Sequence, residues 1–211
     1  MATAAISNFV QALATARLPC PDAHNPYAGQ TYRAQQNRTN LSYYLQALEK
    51  ETVPLLLVGE ALGYKGGLHT GIPFSSEALI EAGAYPAGVG CSLRGKPRKE
   101  QSAAVVHRYW PYAPLPPAAW NAFPFHPYRA GQPASNRKPR KAEVDLGLRF
   151  LQDLLAIVQP RQVAAVGRSA ELALGRLKIT CTYLRHPAHG GKARYIQQFA
   201  QLTQTHCTSK S

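Results

Sequence analysis

Apolar residues along this chain either recur every three or four positions or gather in short unbroken runs, which separates helices from buried strands. Phe9, Val10, Leu13 and Ala14 share a helical face within 7–18, with Ser7 placed to cap it. Residues 20–35 hold two prolines, a glycine and two tyrosines and read as an extended loop. Asn40 stands where it would cap a helix over 41–50. The run at 53–58 shows no alternation, the mark of a strand buried on both faces of a parallel sheet. Residues 75–84 read as a helix opened by Ser75 or Ser76, 85–101 as a basic Gly/Pro segment, and 103–110 as a second strand. After a proline-rich turn come a short strand at 118–123 and a polar, basic loop at 124–139. In the helix at 140–158, Val144, Leu148, Leu151, Leu154 and Leu155 line one face, and Pro139 stands near its first turn. A strand at 163–167, a helix at 169–177, a strand at 180–184 and a helix at 197–204 complete the order. Strands alternating with helices predict an α/β fold, a three-layer α/β/α sandwich around a short, mostly parallel sheet. At 211 residues the expectation is one domain, with 1–50 a helical region packed on the α/β core.

The strand at 53–58 runs into Gly59, Gly63, Gly66, Gly67 and Gly71. Without a Cβ, such residues let the backbone turn sharply and lie close to a neighbour. Ligands of open α/β sheets sit beyond the carboxyl ends of the strands, so 59–71 reads as a binding loop on a rigid support. Neither the G-x-x-x-x-G-K-[ST] phosphate loop nor a G-x-G-x-x-G opening a helix is present.

Charge narrows the partner. Lys and Arg number 24 against 11 Asp and Glu, a formal net charge of +13, which points to a polyanion. With 45% hydrophobic and 17% charged residues the chain is globular rather than disordered. Cys20, Cys91, Cys181 and Cys207 lack C-x-x-C spacing, so no zinc or redox site is expected. The sequence shows neither a membrane-length apolar run nor a signal-peptide layout, and the reading expects a cytoplasmic monomer.

Three motifs in order then carry the functional reading: Gly59-Glu60-Ala61-Leu62-Gly63 leading to Gly71-Ile72-Pro73-Phe74, Asn121 in Trp120-Asn121-Ala122-Phe123, and Arg185-His186-Pro187-Ala188-His189-Gly190-Gly191. Together they resemble the uracil-DNA glycosylase superfamily, in particular its bacterial branches with a Gly-Glu-Ala-Pro-Gly first motif, over roughly 55–195. The scattered cysteines do not match the iron–sulfur cluster of some branches, and no metal or cofactor is expected.

The resemblance implies a role for each motif. His186 corresponds to the histidine that donates to the pyrimidine O2 and stabilises the leaving base. Asn121 corresponds to the asparagine that reads the O4 and N3–H edge, which an amide suits because it both donates and accepts. Phe74 corresponds to the aromatic stacked on the flipped base. Gly59 and Ala61 line the base, with backbone amides at Glu60 and Ala61 facing its developing charge. Where the best-known branch has an aspartate to position water, this chain has Ala61, which leaves Glu60 as the candidate. The segment Ala188, His189, Gly190, Gly191, Lys192 and Arg194 corresponds to the loop that enters the DNA, with His189 as plug. Arg137 and Lys138, beside Arg140 and Lys141, read as a backbone-contact cluster. His69 and His126 read as DNA-contacting or structural.

The implied activity is that of a monofunctional DNA glycosylase acting on uracil and initiating base excision repair; no lysine is placed to form a Schiff base. Two alternatives stand beside it. Ala61 and the Gly66-Gly67 pair leave room for a bulkier modified pyrimidine, as in phage DNA, which would give an antiviral role. The absent aspartate fits a non-catalytic DNA-binding protein on the same scaffold.

Overall fold

The computed structural model describes residues 3–91, 95–188 and 190–204. Its elements follow in the order α1 (Ala4–Ala14), β1 (Ala23–His24), α2 (Tyr32–Glu49), β2 (Leu56–Ala61), α3 (Gly67–Thr70), α4 (Glu77–Glu81), α5 (Gln101–Tyr109), β3 (Ala119–Phe123), β4 (His126–Pro127), α6 (Lys141–Val158), β5 (Val163–Val166), α7 (Arg168–Arg176), β6 (Thr182–Leu184) and α8 (Lys192–Gln204). Four strands form a parallel sheet in the order β3-β2-β5-β6, and β1 pairs antiparallel with β4 outside it. The expected three layers are present. No helix among the described residues is long and apolar enough to cross a membrane.

Strand β2 lacks alternation because both its faces are covered. Leu56 and Val58 join Trp120 and Ala122 against α1, α2, α6 and α7. Leu55 and Leu57 join Ala119, Ala164 and Val166 against α5 and α8. Helix α6 lies so close to β3 that a methyl group on Gly147 would stand 1.8 Å from the Ala122 carbonyl oxygen. Glycine is required there by contact, not by backbone angle.

Several boundaries differ from the sequence expectation. Residues 103–110 belong to helix α5, not to a strand. Val105 and Val106 suggested β structure, yet Ser102, Ala103, Val105 and Val106 are buried while Ala104 and Arg108 are exposed, a helical spacing. Helix α1 is capped by Thr3, whose Oγ1 accepts from Ile6 N–H, and Ser7 lies inside it. Asn40 is not a cap but a fully buried residue within α2. Its amide donates to the carbonyls of Thr70 (2.9 Å) and Gly90 (2.8 Å) and accepts from Gly90 N–H (2.9 Å). Helix α8 begins at Lys192, five residues before its expected start.

The start of α6 is held by a charged cluster that corrects the reading of Arg137 as a DNA contact. Arg137 donates to both carboxylate oxygens of Glu143 (2.6 Å each), to Asp22 (3.2 Å) and to the Tyr128 carbonyl (2.9 Å). Arg140 takes both oxygens of Asp22 at 2.6 and 2.7 Å. The hydrogen bond from Arg140 holds the Asp22 carboxyl below its ordinary range. A guanidinium so fully engaged is a structural tie, while Lys138 stays exposed on the surface. Replacing Arg137 by Ala would leave the fully buried Glu143 carboxylate short of its counter-charge. The expected loss is about 3 kcal/mol, a fall in Tm of roughly 6–12 °C at this size, read by thermal unfolding.

Candidate active site

Gly59, in β2, stands in register with Asn121 in β3. A methyl group at Gly59 would lie 2.6 Å from Asn121 Oδ1 and 2.7 Å from Phe74 Cε2. The Phe74 ring in turn faces the His186 ring, with centroids 6.3 Å apart and planes at 33°. Four residues from three distant parts of the chain therefore meet at the carboxyl end of the sheet. Asn121 is 2% exposed. His186 Nδ1 accepts from Ala188 N–H at 3.1 Å, which leaves the proton of the neutral ring on Nε2. A buried amide, an imidazole donor and an aromatic face together suit a flat heterocycle bearing carbonyls.

Phe74 reaches this place in a left-handed backbone conformation, φ 49°, unusual for a residue with a side chain. Its neighbours fix it there. The Tyr85 hydroxyl donates to the Phe74 carbonyl (3.3 Å) and lies 2.8 Å from His107 Nε2. Burial drives the His107 pKa down to about 4, so that ring is neutral at physiological pH. Ser75 donates to the Ile72 carbonyl at 2.6 Å and pairs with Thr70, and Tyr27 donates to the Gly71 carbonyl at 2.8 Å.

The glycines of the loop mostly make room for the protein itself. A methyl group on Gly66 would fall 1.7 Å from Glu100 Oε2, and one on Gly63 would fall 3.0 Å from Glu100 Oε1. Leu62 fills the space over Gly67, and the backbone of Asn37 the space beside Gly71, φ 74°. Glu100 accepts from Gly67 N–H, but burial outweighs that bond and pushes its pKa up to about 7. The room once read over Gly66 and Gly67 for a larger base is thus occupied by side chains. Sequence reasoning missed Glu100, Tyr85 and His107, which lie in segments with no motif of their own.

Other expected site residues lie elsewhere. The strand continues through Ala61, which pairs with Phe123, where a loop was expected from Gly59 onward. Glu60 projects to the opposite face of the strand from Gly59. Its carboxylate accepts from Ser169 N–H at 3.1 Å at the start of α7 and packs against Gly167. Ala188 and Gly191 close a tight turn below His186, where a methyl group on Gly191 would meet the His186 carbonyl at 2.0 Å. Gly190, Lys192 and Arg194 are exposed beside it, the last two in the first turn of α8, and His189 lies outside the described residues. His126 is buried, its ring nitrogens facing the carbonyls of Leu62 (2.8 Å) and Pro133 (3.3 Å), a structural role. Cys20, Asp22 and Glu143 bring ligand atoms within 4.8 Å of one another, but Arg137 and Arg140 already neutralise the two carboxylates.

Residues 46–205 match the family described as the uracil DNA glycosylase superfamily, a span that includes all four residues of the group. Among solved structures, the chain is similar to the crystal structure of wild-type Pedobacter heparinus SMUG2. The TM-score is 0.68 at 16% identity, over 95% of this chain and 97% of that one. No curated protein matches the sequence significantly.

Glu100 yields a stability test. Its folded pKa of about 7 lies above the ordinary 4.5, so the folded state holds the proton more tightly. The resulting stabilisation is complete below the ordinary value and is lost as pH rises through about 7. Thermal unfolding should show native Tm falling relative to Glu100→Gln as pH rises from 5 to 8, with the two differing least in their pH slope below that window.

Proposed function

Because the chain belongs to the uracil DNA glycosylase superfamily, and is thus a DNA glycosylase that hydrolyses N-glycosyl bonds, we propose that its target base is uracil. The observation that carries this reading is the meeting of Phe74, Asn121 and His186 over Gly59. Uracil presents a flat ring, a carbonyl at O2 and an O4/N3–H edge. The nucleotide leaves the stack, because the bond to C1′ is inaccessible within it. The base lies on Phe74, and Asn121 accepts from N3–H and donates to O4. The bond from C1′ to nitrogen then breaks, its electron pair going to the base. His186 Nε2–H donates to O2 as the negative charge builds there. A donor fixed beforehand in a water-poor site stabilises that charge more than water does. Water captures the sugar at C1′ and loses a proton, leaving an abasic site, the starting point of base excision repair.

The exposed Lys192 and Arg194 beside the His186 turn, with Lys138 on the loop that leads into α6, support a phosphate-contacting surface. Glu60 has no part in this scheme, and Ala61 serves only as wall. Base release is therefore carried by stabilising the leaving group rather than by activating water.

The test offers uracil-containing and modified-cytosine oligonucleotides side by side. Uracil is the expected product; release of the modified base alone would overturn the assignment. His186→Ala should lower base release by about 100-fold or more while leaving salt-sensitive DNA binding in place. Gly59→Ala, whose methyl group collides with both Asn121 and Phe74, should lose about 100-fold through misplacement alone. Single-turnover kinetics, with anisotropy for binding, separates the two effects.

A further inference from the structure

A cleft of about 460 Å³ lies between the segment from β1 into α2 and the loops after β2 and β3. His24, Arg33, Asn37, His69, Arg98 and Tyr128 are among its lining residues, whereas Gly59, Phe74, Asn121 and His186 are not. His69 lies on the segment that ends in Phe74, and Tyr128 on the one that follows Asn121, so two walls of the cleft are joined through the chain to the base-binding group.

Three features describe its ligand. First, two guanidiniums and no carboxylate line it; Glu77 engages Arg98 through both carboxylate oxygens at 3.1 Å, and the exposed Arg33, with Lys65, Lys96 and Lys99 in the adjoining hollow, supplies the remaining positive charge. Burial, then the charges of Arg98 and Arg33, hold the His69 pKa down to about 4, and Arg33 donates to its Nδ1. Such a field attracts an anion. Second, Asn37 Nδ2 donates to the carbonyls of Pro26 (3.0 Å) and Leu68 (3.3 Å), which fixes the amide's orientation. Its Oδ1 is buried without a hydrogen-bond partner among the described residues, an acceptor suited to an N–H donor. Third, the Tyr128 ring, stacked on His126 with centroids 6.0 Å apart, forms an aromatic wall. An anion, an N–H donor and a flat ring belong together in a nucleotide. A hollow of about 410 Å³ shares Arg98 with this cleft and adds Lys65, Lys96 and Lys99, a track for further phosphates.

We propose that this cleft is a second nucleotide subsite, holding an unstacked neighbour of the target nucleotide on the same DNA strand. The phosphate lies between Arg33 and Arg98, and the base lies on Tyr128 with an N–H directed at Asn37. The proposal rests on the DNA glycosylase reading and refines its substrate: a strand with two bases out of the stack is single-stranded or locally open.

The test uses single-stranded oligonucleotides with one uracil, in which each flanking nucleotide in turn is made abasic. For the native protein, the abasic change at one flanking position should raise KM about tenfold, the lower part of the range for loss of one base–aromatic stack. In Tyr128→Ala that same change should have less than about a twofold effect, since the wall is already gone. Arg33→Ala, a surface change, should reduce the slope of log affinity against log salt by about one. Equal effects of every abasic position in both proteins, or an unchanged salt slope in Arg33→Ala, would overturn the subsite. Saturation by a free deoxynucleoside monophosphate, with no sensitive flanking position, would overturn its assignment to the strand. If uracil is not released at all, the target-base reading fails, and anisotropy on the same strands still decides the subsite.

Discussion

The site depends on one strained residue. Phe74 holds a left-handed backbone conformation that costs of order 1–3 kcal/mol for a residue with a side chain. It persists because its surroundings leave no alternative. Its carbonyl is held by Tyr85, the preceding turn is closed by Thr70 and Ser75, and Glu100 fills the glycine hollow before it. Thr70 and Ser75 are buried, Tyr85 and Glu100 half-buried, and all are polar, so each would be worse off if the loop relaxed. The aromatic face is thereby presented in one orientation before any base arrives, and little ordering remains for binding to impose.

Beneath that loop, the sheet supplies a second constraint. Parallel strands buried on both faces cannot shift register without exposing apolar side chains, so Gly59 and Asn121 are locked side by side. The absent Cβ of Gly59 is what allows the amide and the ring to approach each other. Helix α6, seated against β3 through Gly147, backs the strand that bears Asn121. Rigidity of the scaffold and openness of the pocket thus come from glycines used in different ways.

Much of this was legible in the sequence, for identifiable reasons. Buried parallel strands leave unbroken apolar runs, so β2, β3 and β5 stood out, and Phe74, Asn121 and His186 were marked by their motifs. What misled was local chemistry resolved by distant contacts. Val105 and Val106 favour strands, yet they face the sheet from a helix. Asn40 looks like a cap because nothing nearby reveals that Thr70 and Gly90 need its amide. Arg137 looks like a free cation because Glu143 and Asp22 meet it only in the folded chain. Glu60 stands in its motif beside Gly59, but the alternation of the strand turns it toward Gly167 and Ser169. The glycine-rich loop suggested a ligand cradle, and the group it holds is the protein's own Glu100 carboxyl.

The tie between Asp22 and Arg140 joins residues 118 apart in sequence. Contacts of that span form only after much of the intervening chain has been gathered, and they slow folding more than they alter final stability. The parallel sheet adds to this, since β2 completes its pairing only when both β3 and β5 have been made. During synthesis, therefore, β2 emerges well before its partners and waits as an unpaired, strongly apolar edge. That waiting interval is a kinetic hazard written into the order of its strands.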